Sequence, residues 1–369
     1  MSNRILVGTH KGLFRIERQQ AGDWSIAGHW FPGDPVSMVL KEPAKPRIHA
    51  ALDLGHFGVK MKRSEDDGAS WDEASVPAYP AKPDGLEDKD PMRGTDIPWD
   101  TRLIWSLECG GQEDELWCGT LPGGLFRSSD GGDSWSLIQS LWDDPRRKQW
   151  MGGGYDLAGI HSILVDPRDA AHITIGVSVG GIWTSHDSGE HWQLIGKGLR
   201  NAYMPPEMAG DPVSQDVHKM VSCPANPDRL WLQHHNGIFR SDDGGLNWQE
   251  LIDVKPSVFG FAVVVHPEDP DTAWFVPAIK DEQRFPVDAH LVVNRTRDGG
   301  RHFESLDKGL PDEAAYDLVY RHSLDISGDG QRLVFGSTTG SLWVSENQGD
   351  SWQSVSKHLA PIKCVRFES

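Results

Sequence analysis

The chain has 369 residues, 38% hydrophobic and 24% charged, and a formal net charge of −18 at pH 7. That acidity repels phosphate backbones and anionic headgroups, so neither nucleic acid nor membrane is an expected partner. No run of about 18 apolar residues is present to span a bilayer, and Met1, Ser2, Asn3 and Arg4 lead into an apolar stretch without a signal-peptide core, so a cytoplasmic protein is expected.

Gly 40, Pro 24 and Trp 16 favour short strands, tight turns and aromatic packing over helices. Taken in chain order, residues 4–8, 12–17 and 24–28 read as three strands bounded by turn residues. A repeat then begins at Ser64, Asp66, Gly68 and Trp71. It recurs at Ser128, Asp130, Gly132 and Trp135, at Ser185, Asp187, Gly189 and Trp192, and at Ser241, Asp243, Gly245 and Trp248. Looser copies are Thr296, Asp298, Gly300 and Phe303, and Ser345, Asn347, Gly349 and Trp352. The pattern is S-x-D-x-G-x-x-W, and its glycines are spaced by 64, 57, 56, 55 and 49 residues, which suits one four-stranded unit per repeat. Gly12, Leu13 and Phe14 match the strand opening at Gly124, Gly181, Gly237 and Gly340 but lead to no such turn, and so mark a seventh, degenerate repeat.

The expected fold is all-β: a seven-bladed β-propeller of four-stranded antiparallel blades in a single domain over 1–369. The blades are 1–30 plus 361–369, 36–78, 101–141, 158–198, 216–253, 259–307 and 316–357. The first has only three strands of its own, so 362–367 is expected to supply the missing inner strand and close the ring, which removes the sheet edges. The chemistry of the repeated turn is local. Asp and Ser side chains bond the turn's own backbone, Gly takes the positive φ, and Trp covers the hairpin. Asp66, Asp130, Asp187, Asp243, Asp298 and Asn347 are therefore read as structural. Cys109, Cys118, Cys223 and Cys364 have no zinc-knuckle spacing and are expected as free thiols.

The six turns resemble the Asp box, or BNR repeat, of sialidase-like, sortilin-like and xyloglucan-cleaving propellers, and the chain resembles bacterial BNR-repeat, glycosyl hydrolase-like proteins. The resemblance covers nearly the whole chain and implies a propeller. Its members include hydrolases and pure binding proteins. Sialidases are similar in the turns but have six blades and an Arg-Ile-Pro motif; here Arg15 and Ile16 are followed by Glu17 and the count is seven, so a hydrolase or lyase other than a sialidase is expected.

In a four-stranded meander the 2–3 turns and the links between blades share one face of the ring. Nearly all the long irregular segments fall there: 79–100, 142–157, 199–215 and 278–290. Loops of this length in a compact domain are usually functional. His161 and His218 each lie six residues before a proline, at matching places on neighbouring inner strands. His10, His56 and His235 each lie two residues before a third-strand glycine. All five are expected to converge on one channel mouth. His161, His218 and His235, with Asp216, Glu207 and Tyr203, are the candidate catalytic groups. The three histidines are also candidate ligands of a divalent transition metal. His10, His56, Arg102, Arg146, Arg284, Tyr316 and Arg321 are candidate substrate contacts, suited to an oligosaccharide or small anionic ligand. The reading is a carbohydrate-active hydrolase or lyase; the alternative is a binding scaffold without catalysis.

Overall fold

The computed structural model describes residues 2–368; Met1 and Ser369, the outer ends of the expected first blade, lie outside the described residues. The strands form seven four-stranded sheets, each an antiparallel meander. In the fourth blade Ile160–Asp166 pairs with Asp169–Val177, which pairs with Gly181–Ser185, which pairs with Gln193–Ile195. The first blade takes its inner strand from the other end of the chain. Ile362–Phe367 runs antiparallel to Arg4–Thr9, with Val7 opposite Val365 and Ile5 opposite Phe367. Next to this latch, the nearly buried Arg15 and Glu368 pair at 2.6 Å.

Neighbouring blades cover both faces of each sheet, so inner and middle strands are largely buried; Gly260–Val265 is buried at every position. Trp117, Trp183, Trp231, Trp274 and Trp343, one from each of the third to seventh blades, are at most 2% exposed. Each buries on the order of 150–250 Å2, which makes them the largest single contributors to blade packing.

The repeated turns share one hydrogen-bond pattern. The Ser128 hydroxyl donates to Asp130 Oδ1 at 2.7 Å and accepts from the Gly132 amide at 2.9 Å. Asp130 in turn accepts from the Ser134 amide at 2.9 Å and the Ser134 hydroxyl at 2.5 Å. Ser185, Asp187, Gly189 and His191 repeat it, as do Ser241, Asp243, Gly245 and Asn247. Gly132 has φ +88°, a conformation that a side chain would strain.

One boundary differs from expectation. The inner strand of the seventh blade is Leu324–Ile326, so the stretch from 316 belongs to a further long link, 307–323. The links meet one another at one mouth of the channel. Arg147 binds Asp88 at 2.9 Å, and Asp90 accepts from the Gly152 amide at 3.2 Å. Among the described residues no helix is long and apolar enough to cross a membrane.

Candidate functional site

Six of the seven inner strands carry a bulge near their start. It takes Ser37, Trp105, His161, His218, Phe261 and Lys363 out of the ladder register, Ala262 accompanying Phe261. A bulge re-aims the side chain it displaces. Ser37, Trp105 and Lys363 thereby line a cavity in the channel, and His218 and Phe261 line a second one beside it.

The matched register of His161 and His218 has a structural cause. Each ring bonds the carbonyl that begins the next inner strand: His161 Nε2 meets Val217 O and His218 Nδ1 meets Gly260 O, both at 2.7 Å. Ser37 and Ser106 donate to Ile104 O and Ile160 O in a similar way, at 3.1 and 3.0 Å. The two histidines differ in which nitrogen does this. His161 has its other nitrogen on Ser162 at 3.0 Å and is fully buried. It has no donor left for a metal or substrate, which corrects its assignment to the cluster. His218 bonds through Nδ1, so Nε2 faces the site, 3.8 Å from Asp216 Oδ1.

Asp216, His218 and His235 do converge. Asp216 Oδ2 lies 3.2 Å from His235 Nδ1 and accepts from the Tyr203 hydroxyl at 3.1 Å; the His218 and His235 rings are 5.4 Å apart. Burial opposes ionisation of Asp216, but the contact with His235 and the charge on that ring outweigh it and hold the carboxyl well below the usual carboxylate range. Burial draws His235 down, and the Asp216 carboxylate more than reverses this, leaving His235 above its ordinary value. For His218 burial wins over Asp216, and the ring is neutral. The three residues offer one ligand atom each within 4.8 Å of one another, a spacing that a divalent transition metal can draw together. The Nδ1 bond of His218 to a backbone carbonyl is the usual orienting contact for a ligating imidazole.

Other candidates divide. His10, Arg284 and Arg321 line the channel cavity of about 370 Å3, with Asp53, Tyr155, Tyr320 and His322. Arg284 and Gly154 also line the adjoining space of about 490 Å3 over Asp216, His218 and His235. Both volumes suit a small ligand. The rest lie elsewhere. Glu207 and His56 are exposed, and His56 packs on Phe57. Arg102 pairs with Asp100 at the surface. Arg146 is held by Asp144 at 2.7 Å and lies over the Trp183 ring. Tyr316 is 63% exposed beside Phe285. Each corrects the expectation of a substrate contact or catalytic group, because loop membership places a residue on a face without aiming it at the channel. Sequence reading missed Trp105, Phe261, Lys363 and His322. For Trp105, Phe261 and Lys363 the missing signal was the bulge, a break of register that alternation of residue types does not reveal.

Fold and cluster together define a seven-bladed β-propeller with a buried Asp–His site at one mouth of its channel. No family model matches the chain. An oligoxyloglucan-reducing end-specific xyloglucanase of Emericella nidulans is 25% identical over 269 residues, 65% of this chain and 30% of that enzyme. The chain thus spans less than a third of that relative. Among solved structures, the GH74 xyloglucanase of Xanthomonas campestris matches with TM-score 0.66 at 18% identity, over 97% of this chain and 53% of that one. YCF48 bound to D1 peptide matches with TM-score 0.50 at 15% identity, over 86% and 84%. At these identities the structural matches speak for the fold alone.

Proposed function

We propose that the protein is a carbohydrate-active enzyme, a hydrolase or lyase, that takes an oligosaccharide at the link-side mouth of the channel. The observation that carries this reading is one ionised, buried carboxylate, Asp216, set between two imidazoles of opposed basicity. Pairs of titratable groups whose environments push them apart suit acid and base roles. His235, raised by Asp216 and partly open to the cavity, donates a proton to the leaving oxygen. His218, neutral with Nε2 facing the site, accepts one from water or from a sugar carbon. Asp216 holds the charge that forms between them, and the Tyr203 hydroxyl orients it. The xyloglucanase relative supports a glycan substrate. The shared bonding of the six turns supports their reading as Asp boxes, and the four free cysteines support a reducing, cytoplasmic setting. An anionic glycan fits the arginines of the channel wall.

A second reading is favoured by the His218 Nδ1 bond to Gly260: Asp216, His218 and His235 hold a divalent transition metal, which would polarise a substrate oxygen or activate water. Metal analysis of protein purified without a histidine tag separates the two. The test of the function itself is release of new reducing or unsaturated ends from xyloglucan-derived and uronate-containing oligosaccharides. Asp216→Asn is expected to lower kcat by roughly 10²–10⁴-fold, the usual worth of acid–base assistance. Wild-type protein inert on every glycan of such a panel, or an Asp216→Asn variant as active as wild type, overturns the reading; the binding role of a YCF48-like propeller would then take its place.

A further inference from the structure

The channel cavity contains a buried cation without an anion. Arg321 is 5% exposed and lines the cavity. Its guanidinium lies between two aromatic rings, 4.9 Å from the Trp105 centroid and 5.2 Å from that of Phe261. Stacking of this kind covers the two faces of the planar group and leaves its edge, the N–H fork, as the part free to bind. Yet among the described residues no carboxylate lies within ion-pair distance, and Nε is buried with no hydrogen-bond partner. A buried donor left unmade is costly, and such groups in native proteins call for an explanation.

Among the other charges of the cavity wall, Arg284 is bonded to Asp281 at 3.0 Å, and Lys363 lies in the field of Asp53, although burial outweighs that field and draws its pKa down. Burial and the nearby Lys363 push His10 down, so it adds no charge at neutral pH. Arg321 is therefore left without a contacting anion: Asp216 acts on it only through its field, and that carboxylate is already engaged by His235 and Tyr203. His322 carries a second donor without a partner. Lys219 donates to its Nδ1 at 3.2 Å, so Nε2 carries the ring proton, and Nε2 too is buried without a partner. Adjacent residues on one link thus line a single cavity with aromatic walls, and each carries a buried donor without a partner.

We propose that Arg321, aided by His322, binds the carboxylate of a uronic acid unit of the substrate, with Trp105 and Tyr155 against the sugar ring. This rests on the proposed carbohydrate activity and names its substrate class. Arg284 and Gly154 are common to both cavities, so a sugar anchored at Arg321 extends its next unit toward Asp216, His218 and His235. A planar carboxylate matches the planar fork.

Isothermal titration of the full chain with D-glucuronate tests this. Binding is expected at pH 7. Glucose and the methyl ester of glucuronate should bind roughly tenfold or more weakly, the worth of a charge-assisted hydrogen-bond pair. Arg321→Gln should lose glucuronate to a similar extent, whereas Asp187→Ala, on the turn side, should keep it. Equal affinity for glucuronate and its methyl ester overturns the proposal, and this arm uses unaltered protein, so it holds even if the variant fails to fold. Undiminished binding to folded Arg321→Gln, or inorganic phosphate bound as tightly as glucuronate, also overturns it. Glucuronate held through Arg321 without cleavage of any glycan would sink the catalytic proposal and leave this one standing. Cleavage of neutral oligosaccharides without glucuronate binding would do the reverse.

Discussion

The two ends of the channel use the same residue types for opposite purposes. On the turn side, Asp66, Asp130, Asp187, Asp243 and Asp298 each accept bonds from their own hairpin, and these bonds hold Asp130 and Asp187 near a pKa of about 2. Their oxygens are already engaged. On the link side, Asp216 is shared between two imidazoles and a phenol, and among the described residues no carboxylate lies within ion-pair distance of Arg321. Repetition with complete local satisfaction marks a group that stabilises. A solitary polar group with open valences marks one that waits for a ligand.

Removing Pro361–Ser369 would erase this contrast altogether. Without Ile362–Phe367 the first blade loses its inner strand and the ring exposes two edges, which are templates for aggregation. Calorimetry should show loss of the cooperative transition, and light scattering should show association. A truncated chain that melts like the full one would mean that the latch is dispensable and that each face is stable by itself.

A smaller effect separates the faces. Asp187→Ala should cost roughly 1–3 kcal/mol in denaturant unfolding, since the His191 and Ser185 groups lose their acceptor. Activity and glucuronate binding should stay near wild type. Asp216→Asn is expected to show loss of turnover, with a stability change confined to its pairing with His235. A variant at 187 that retains its stability but loses ligand would show that the turn side, not the link side, carries the site.

The smallest effect is a pH dependence. His235 is held above its ordinary value of 6.5 by Asp216, against the pull of burial. Its pairing therefore contributes stability in full below that value and loses it as pH rises through the raised pKa. Asp216, held low, contributes above the ordinary carboxylate range and loses its share only as pH falls through its depressed pKa. The melting temperature of wild type relative to His235→Gln should thus be highest near pH 6 and decline toward pH 8. A flat difference across that range would show that the pair carries no charge in the folded protein.

The sequence alone determined the blade count, the turns and the latch, because each depends on local chemistry or on counting. A hairpin's Ser, Asp, Gly and Trp satisfy one another within eight residues, and a three-stranded first repeat requires a fourth strand from elsewhere. It also brought Asp216, His218, His235, Arg284 and Arg321 to the right face. Only the tertiary structure decided which of those side chains meet. His161 and His218 are equivalent by register, yet one spends both nitrogens on the scaffold and the other keeps Nε2 for the site. Trp105, Phe261 and Lys363 turn into the channel because of bulges set by pairing with the next strand. Arg321 reaches the cavity from a link that forms no ladder until Leu324. These outcomes rest on contacts between blades far apart in the chain, and no local pattern of residue types encodes them.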